Sequence, residues 1–131
     1  MPKPRAHRVA VSSLLDTHAA LYLLGGRLAS PLPEDRYAVS FITEMELLSY
    51  PHLSADEEAG VLAFLASVEV CELSQGIKLR AISIRRRHGL KLPDAIICAT
   101  AMERSATLWS NDQKLANIPE LRCRGVDIKT V

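Results

Sequence analysis

The sequence has little cysteine, almost no net charge and no long apolar run. Its three cysteines are odd in number, lie far apart and form no Cys-x-x-Cys or Cys/His ligand spacing, which favours a reducing compartment. The 16 Lys and Arg residues nearly balance the 15 Asp and Glu residues, which excludes the global positive field of a sequence-independent nucleic-acid binder. No segment approaches the length of a membrane span, and the N-terminal residues lack the pattern of a cleavable signal peptide. We therefore expect a cytoplasmic protein with no membrane association.

The composition predicts one globular domain. A chain of 131 residues with 48% hydrophobic and 24% charged residues has room for a single core. We expect that domain to span residues 1–131, with residues 1–8 as a flexible basic N-terminal tail. Cys98 lies in the apolar run 95–99, where a small buried residue is the default role.

Strand and helix signals alternate along the chain. Five short segments, apolar throughout or alternately apolar and polar, predict strands at residues 9–15, 37–41, 68–73, 107–110 and 126–131. Helices are predicted between these strands. Ser54, Ser74 and Pro93 are typical of helix starts, and Gly25 and Gly89 are typical of helix ends. This alternation implies an α/β sandwich with a mainly parallel sheet.

The start of the second helix is assigned from a capping pattern. Thr43 has Glu46 three residues further on, which is the capping-box spacing, so Thr43 is interpreted as the N-cap. Glu44 and Glu46 are then alternatives for one inward-facing acid, because side chains two residues apart on a helix point about 200° apart. The Glu-Leu-Leu context favours Glu46, with Glu44 exposed.

Four acidic residues occupy positions from which they can converge. Two of them follow predicted strands, and two fall in the first turns of predicted helices. In open parallel sheets, ligands bind beyond the carboxyl ends of the strands, where both kinds of position meet. Taken singly, each acid also has a structural interpretation as a turn, an N-cap or a helix N-terminal charge. We expect one shared pocket formed by Asp16, Glu46, Asp94 and Asp112.

Such a pocket would need cations. Four carboxylates repel one another at neutral pH unless protons or hard cations lie between them. Oxygen ligands favour Mg²⁺ or Mn²⁺, which keep open positions for a substrate phosphate. One or two such ions would deprotonate a water for in-line attack on a phosphodiester and stabilise the leaving oxygen.

A basic cluster surrounds His88. It ends a predicted helix, where cations are favoured by the helix dipole and such runs are usually solvated. The alternative is that Arg87, His88 or Lys91 lines the approach to Asp94 and binds RNA phosphates, which would make binding salt-dependent.

Four segments of the chain resemble the PIN domains and, among these, the VapC-type toxin ribonucleases of toxin–antitoxin pairs. The segments are residues 14–18, 42–48, 90–101 and 110–112, of which the third is the most specific. The resemblance implies a PIN-like three-layer α/β/α sandwich around a twisted, mainly parallel sheet. It also implies a Mg²⁺- or Mn²⁺-dependent endoribonuclease, a homodimer, and a small VapB-like antitoxin that inserts a segment into the site.

The resemblance also assigns residues. It places the family's four acidic positions on Asp16, Glu46, Asp94 and Asp112. Thr17 and Asn111 match polar positions beside them, whose implied role is to orient carboxylates, waters or phosphate. His18 stands where the family often has Asn, and it is either a contact for substrate phosphate or a plain helix N-terminal residue.

Three functions compete. The first is the metal-dependent endoribonuclease toxin, and the second is a catalytically silent PIN-fold module that binds RNA or protein. Stabilisation by divalent ions separates them, because a filled acid pocket is stabilised and a silent module is not. The third is a phosphoacceptor domain with Asp16 receiving the phosphate, but the companion acidic pair and a clear lysine partner are missing.

Overall fold

A computed structural model describes residues 10–130 of the chain. The predicted basic tail of residues 1–8 therefore lies outside the described residues, as do Val9 and Val131. The elements run in chain order as β1 (Ser13–Leu15), α1 (Thr17–Leu24), β2 (Tyr37–Ser40), α2 (Phe41–Leu48), α3 (Ala55–Ser67), β3 (Glu69–Cys71), α4 (Gln75–His88), α5 (Leu92–Glu103), β4 (Thr107–Trp109), α6 (Gln113–Ala116) and β5 (Cys123–Arg124).

The strands form one sheet in the order β3-β2-β1-β4-β5, and every pairing in it is parallel. In the centre, Leu14 of β1 is in register with Ala38 of β2 on one side and with Leu108 of β4 on the other. The chain order of the strands reverses between β1 and β4. In sheets of this kind a crevice opens at the reversal, beyond the carboxyl ends of the two strands.

Each strand contributes to two cores, because successive residues of a strand point to opposite faces of the sheet. Leu14 and Leu108 pack with helices α4, α5 and α6 on one face. Leu15 and Trp109 pack with helices α1, α2 and α3 on the other face. The predicted three-layer α/β/α sandwich is thereby confirmed, and Cys98 is fully buried in the first core, as expected.

Several helices begin and end at the residues that the sequence signals indicate. Ser54 and Glu57 form a reciprocal capping box at the start of α3. The Ser74 side chain caps α4, and Gly89 ends that helix with a left-handed φ of 66°. Pro93 lies in the first turn of α5, where its missing N–H leaves no hydrogen bond unmade.

The prediction that Thr43 caps the second helix is wrong. Helix α2 begins at Phe41, directly after β2, and the side chain of Ser40 caps it by accepting a hydrogen bond from the Ile42 N–H at 3.1 Å. The strand passes into the helix without a loop, so the last strand residue is the one in position to cap. Thr43 therefore lies inside the helix, and Glu46 lies in its second turn rather than its first.

The predicted terminal strand at residues 126–131 is also wrong over residues 126–130, and Val131 lies outside the described residues. The last strand is Cys123–Arg124, which pairs in parallel with β4. Val126 is buried instead, and Ile128 makes a single antiparallel bridge with Leu28. The segment leaves the sheet because the backbone of Val126 is held by a side chain of the functional site, described below.

Over residues 10–130, none of the helices has the length and apolar character needed to cross a membrane.

Candidate functional site

The crevice between β1 and β4 is where two of the predicted acids lie. Asp16 follows the last residue of β1, and its N–H donates to the carbonyl of Trp109 at the end of β4, at 3.1 Å. Asp112 lies three residues beyond β4 and is the N-cap of α6. The topology of the sheet therefore brings these two residues together although 96 positions separate them in the sequence.

An open cleft of about 540 Å³ occupies this place, and all four predicted acids line it. Its walls are formed by Asp16, Thr17, His18, Tyr22, Glu46, Tyr50, Lys91, Pro93, Asp94, Ile97, Asn111 and Asp112. Glu44 is not among them, so helix α2 presents Glu46 to the cleft. The expectation that Glu44 is exposed is wrong, because Glu44 is partly buried and Glu46 is the exposed one of the two. A larger, more apolar cavity of about 620 Å³ lies near the residues that precede β2 and β3, and none of the four acids lines it.

Asp16 is the most buried of the four acids, with 6% of its surface exposed. It caps helix α1, and its Oδ1 accepts a hydrogen bond from the Ala19 N–H at 2.8 Å. Burial raises the pKa of Asp16, and the negative charge of Asp112 adds to this, whereas hydrogen bonds from Ser110 and Ala19 and the charge of His18 oppose it. The capping role and the place in the cleft thus belong to the same side chain.

Asp94 lies in the first turn of α5 and is half-buried. Burial raises its pKa, and the charges of Asp112, Glu46 and Asp16 raise it further, while Lys91 opposes the rise. The ionised form of Asp94 is therefore disfavoured by its three acidic neighbours. Asp94 thus feels the charge of the other three acids that line the cleft, and a bound cation would relieve this repulsion.

Glu46 is held by a hydroxyl from another helix. The Oγ1 of Thr17, at the start of α1, donates to Oε1 of Glu46 at 2.5 Å. The same Thr17 oxygen lies 3.0 Å from Oγ1 of Thr43. Thr17 therefore occupies the position expected of a residue that orients a carboxylate.

Asn111 makes different contacts from those that the resemblance implied. Its side-chain amide donates to the carbonyl of Val126 at 3.1 Å and accepts from the Val126 N–H at 2.7 Å. The backbone at residue 125 can approach the Asn111 side chain this closely because residue 125 is glycine. A Cβ there would lie 2.8 Å from Oδ1 of Asn111. Asn111 lines the cleft, but its amide anchors the C-terminal segment.

Ser110 is a site residue that the sequence reasoning missed. Its hydroxyl accepts from the Asp112 N–H at 3.1 Å, and its hydrogen bond to the Asp16 side chain counters the rise in the pKa of that carboxyl. It thus joins the two acids that follow β1 and β4. A polar residue at the end of a predicted strand, two positions before an acid, was the available signal.

The structure separates the three basic candidates. Lys91 is exposed and lines the acid cleft. Arg87 instead forms an ion pair with Glu120 at 2.7 Å, and Nε2 of His88 lies 3.5 Å from the same carboxylate. Neither Arg87 nor His88 lines the cleft, so of the three only Lys91 stays a candidate for a phosphate contact there.

The cleft offers oxygen donors to a cation, as Mg²⁺ and Mn²⁺ prefer. In the described part of the chain, no group of three or more His, Cys, Asp and Glu side chains is placed so that it could hold a metal ion by itself. Mg²⁺ does not require such a group, because it usually keeps several waters and binds only one or two carboxylates directly. The residues present therefore fit an open, hydrated cation site better than a closed cage.

Comparison with known proteins gives a family match. The sequence model of the PIN domain family matches residues 13–121, a range that contains all four acids. Among curated proteins, none matches the sequence significantly.

Several solved structures have a similar fold. A chain of a toxin–antitoxin complex from Klebsiella pneumoniae is 31% identical, with a TM-score of 0.70, over 84% of this chain and 95% of that one. A chain of VapBC2 from Rickettsia felis, bound to a DNA fragment from its promoter, is 20% identical with a TM-score of 0.74, over 88% of this chain and 98% of that one. A chain of DNA-bound VapBC from Salmonella typhimurium is 21% identical with a TM-score of 0.73, over the same shares. The last two likenesses show the fold alone.

Proposed function

Because this chain belongs to the PIN domain family, we propose that it is a Mg²⁺- or Mn²⁺-dependent endoribonuclease, the toxin of a toxin–antitoxin pair. PIN domains are generally nucleases. The observation that supports the proposal most is the cleft itself, which is lined by four acidic residues from four separate segments. Such a cluster is costly at neutral pH without a cation, so a purely structural role does not explain it.

The site residues have distinct roles in this proposal. Asp16, Glu46, Asp94 and Asp112 would hold one or two divalent ions. When bound, the ions would supply an activated water for in-line attack on the phosphodiester and neutralise charge on the leaving oxygen. Thr17 holds the Glu46 carboxylate, and Ser110 holds the Asp16 side chain. These hydroxyls keep the carboxylates in place before substrate arrives, which reduces the reorganisation needed during the reaction.

The lining of the cleft supports RNA as the substrate. Lys91 would contact a phosphate on the way to the acids. Tyr22 and Tyr50 line the same cleft, and Tyr50 is 44% exposed. Aromatic side chains beside a phosphate site favour single-stranded nucleic acid, because unpaired bases stack on them.

An antitoxin partner is proposed from the similar structures. The Klebsiella pneumoniae chain that is 31% identical comes from a toxin–antitoxin complex. The described residues include exposed apolar side chains on the helices, among them Met45, Leu79 and Ile82 at 60%, 58% and 53% exposure. They offer apolar surface for a VapB-like antitoxin and for a second copy in a homodimer. Cys98 and Cys123 are free thiols, which suits a cytoplasmic protein.

The proposal is tested by cleavage of RNA under metal control. Purified protein should cleave RNA with Mg²⁺ or Mn²⁺, lose activity in excess EDTA, and regain it when Mn²⁺ is restored. Asp112→Asn should abolish cleavage, and Asp56→Asn, an exposed acid in the first turn of α3, should leave it unchanged. Full activity in EDTA, or in Asp112→Asn, would contradict the proposal. Growth arrest on expression, relieved by the product of a neighbouring reading frame, tests the toxin role.

A further inference from the structure

Thr43 is a polar residue in an apolar setting. It lies in α2, and its exposed fraction is 0%. Threonine is not favoured inside helices, and a buried hydroxyl costs free energy unless it makes a hydrogen bond. Since Ser40 caps the helix, capping does not explain the threonine. Its one side-chain hydrogen bond to the described residues is with Thr17, at 3.0 Å between the Oγ1 atoms.

The direction of that hydrogen bond follows from counting protons. Each threonine hydroxyl has one proton to donate, and an ionised carboxylate only accepts. The Thr17 hydroxyl lies 2.5 Å from Oε1 of Glu46, so its proton is used there. Thr43 must then be the donor to Thr17. The result is a directed chain in which Thr43 donates to Thr17 and Thr17 donates to Glu46.

We propose that Thr43 is a positioning residue that fixes the Glu46 carboxylate through Thr17, an inference that rests on the proposed nuclease function. Among residues 10–130, Thr17 is the one donor that reaches this carboxylate, and Glu46 is otherwise an exposed, long side chain. The hydrogen bond from buried Thr43 holds the Thr17 hydroxyl in one orientation, in which it donates its proton to a hydrogen bond with Oε1 of Glu46. The other oxygen of Glu46, Oε2, makes no hydrogen bond within the described residues and stays available to the cleft.

The experiment compares Thr43→Val, which keeps the shape and removes the hydroxyl, with Thr43→Ser, which keeps the hydroxyl. We expect Thr43→Val to lower kcat for RNA cleavage about ten-fold, the effect of one hydrogen bond. KM should change by less than two-fold, and the Mn²⁺ concentration that half-saturates the thermal shift should rise. Thr43→Ser should stay within about two-fold of the wild type in all three. A merely structural role would lower the melting temperature without changing the Mn²⁺ requirement.

A double mutant isolates the chain of hydrogen bonds. Thr17→Val should lower kcat at least as much as Thr43→Val does, and combining the two should cost nothing further, because the second residue acts only through the first. The proposal would be overturned if the double mutant lost kcat by the product of the two single losses. It would also be overturned if Thr43→Val kept the wild-type kcat and Mn²⁺ dependence, or if Thr43→Ser were as impaired as Thr43→Val. A wild-type protein that cleaves no RNA would instead refute the nuclease function.

Discussion

Replacing Asp94 with asparagine should have opposite effects on the metal-free and the metal-bound protein. Burial and the charges of its acidic neighbours raise the pKa of Asp94, so its ionised form is disfavoured in the native state. A raised native pKa means that stability is lost as pH rises through it. In EDTA at pH 7.5, Asp94→Asn should therefore melt at a higher temperature than the wild type. Towards pH 4 this difference should shrink, because the wild-type carboxyl takes up a proton.

The metal-bound protein should respond in the other direction. An ion present at 100 times its dissociation constant stabilises the native state by about 2.7 kcal/mol. The unfolding entropy is roughly 2.1 cal/mol/K per residue, or about 0.28 kcal/mol/K for 131 residues. Dividing the binding free energy by this entropy, we expect the ion to raise the melting temperature of the wild type by about 10 °C. Losing a direct carboxylate ligand should weaken binding about 100-fold, since even partners of ligands cost 10–100-fold. The gain should then fall to about 1.5 °C.

Differential scanning fluorimetry across a Mn²⁺ titration measures both effects, and RNA cleavage is followed in parallel. Cleavage by Asp94→Asn should fall at least about 100-fold, as for loss of one preorganised electrostatic group. The matched control is Glu44→Gln, which removes a carboxylate from α2 that does not line the cleft. The reasoning is refuted if Asp94→Asn and the wild type gain the same melting temperature from Mn²⁺, or if the variant is less stable than the wild type in EDTA.

Three other changes have defined outcomes. Ser40→Ala removes the cap of α2 and should cost about 1 kcal/mol in urea unfolding; an unchanged midpoint would argue against the cap. Lys91→Ala should weaken RNA binding and flatten its dependence on salt, whereas Arg87→Ala, whose side chain pairs with Glu120, should alter neither; equal effects would remove the distinction drawn between the two side chains. Burial raises the pKa of Cys98 to about 12, so a thiol reagent at pH 8 should modify it only in denaturant, and fast native modification would contradict this burial.

The alternation of strands and helices, and the acids beside them, were predictable from local patterns. An apolar segment that stops at Asp16 and another that stops before Asp112 mark strand ends, and parallel strands present those ends at one edge. Helical phase made Glu44 and Glu46 alternatives and the Glu-Leu-Leu context favoured Glu46, which the structure has in the cleft. Its role there remains a prediction.

Each of the two misassigned segments has a pattern that a contact outside that pattern overrides. Thr43 satisfies the capping-box pattern, but Ser40 lies three positions earlier at the strand end and takes the cap. Residues 126–131 have strand composition, but the Asn111 amide holds Val126 away from the sheet. Neither outcome is visible in a local window, because each depends on a partner far along the chain or on where the preceding strand ends.

The strand order also affects when, during synthesis, the protein can become active. Residues 16, 46, 94 and 112 come from four separate segments, and the last of them follows β4. Five helices and two strands lie between β1 and β4 in the chain, although the two strands pair. A nascent chain leaves the ribosome N-terminus first, so β1 has no β4 neighbour until most of the chain has emerged. A chain that ends before residue 112 lacks at least Asp112. Such a chain carries an incomplete acid cluster, so under the proposed function RNA cleavage would begin only after β4 and Asp112 have been synthesised.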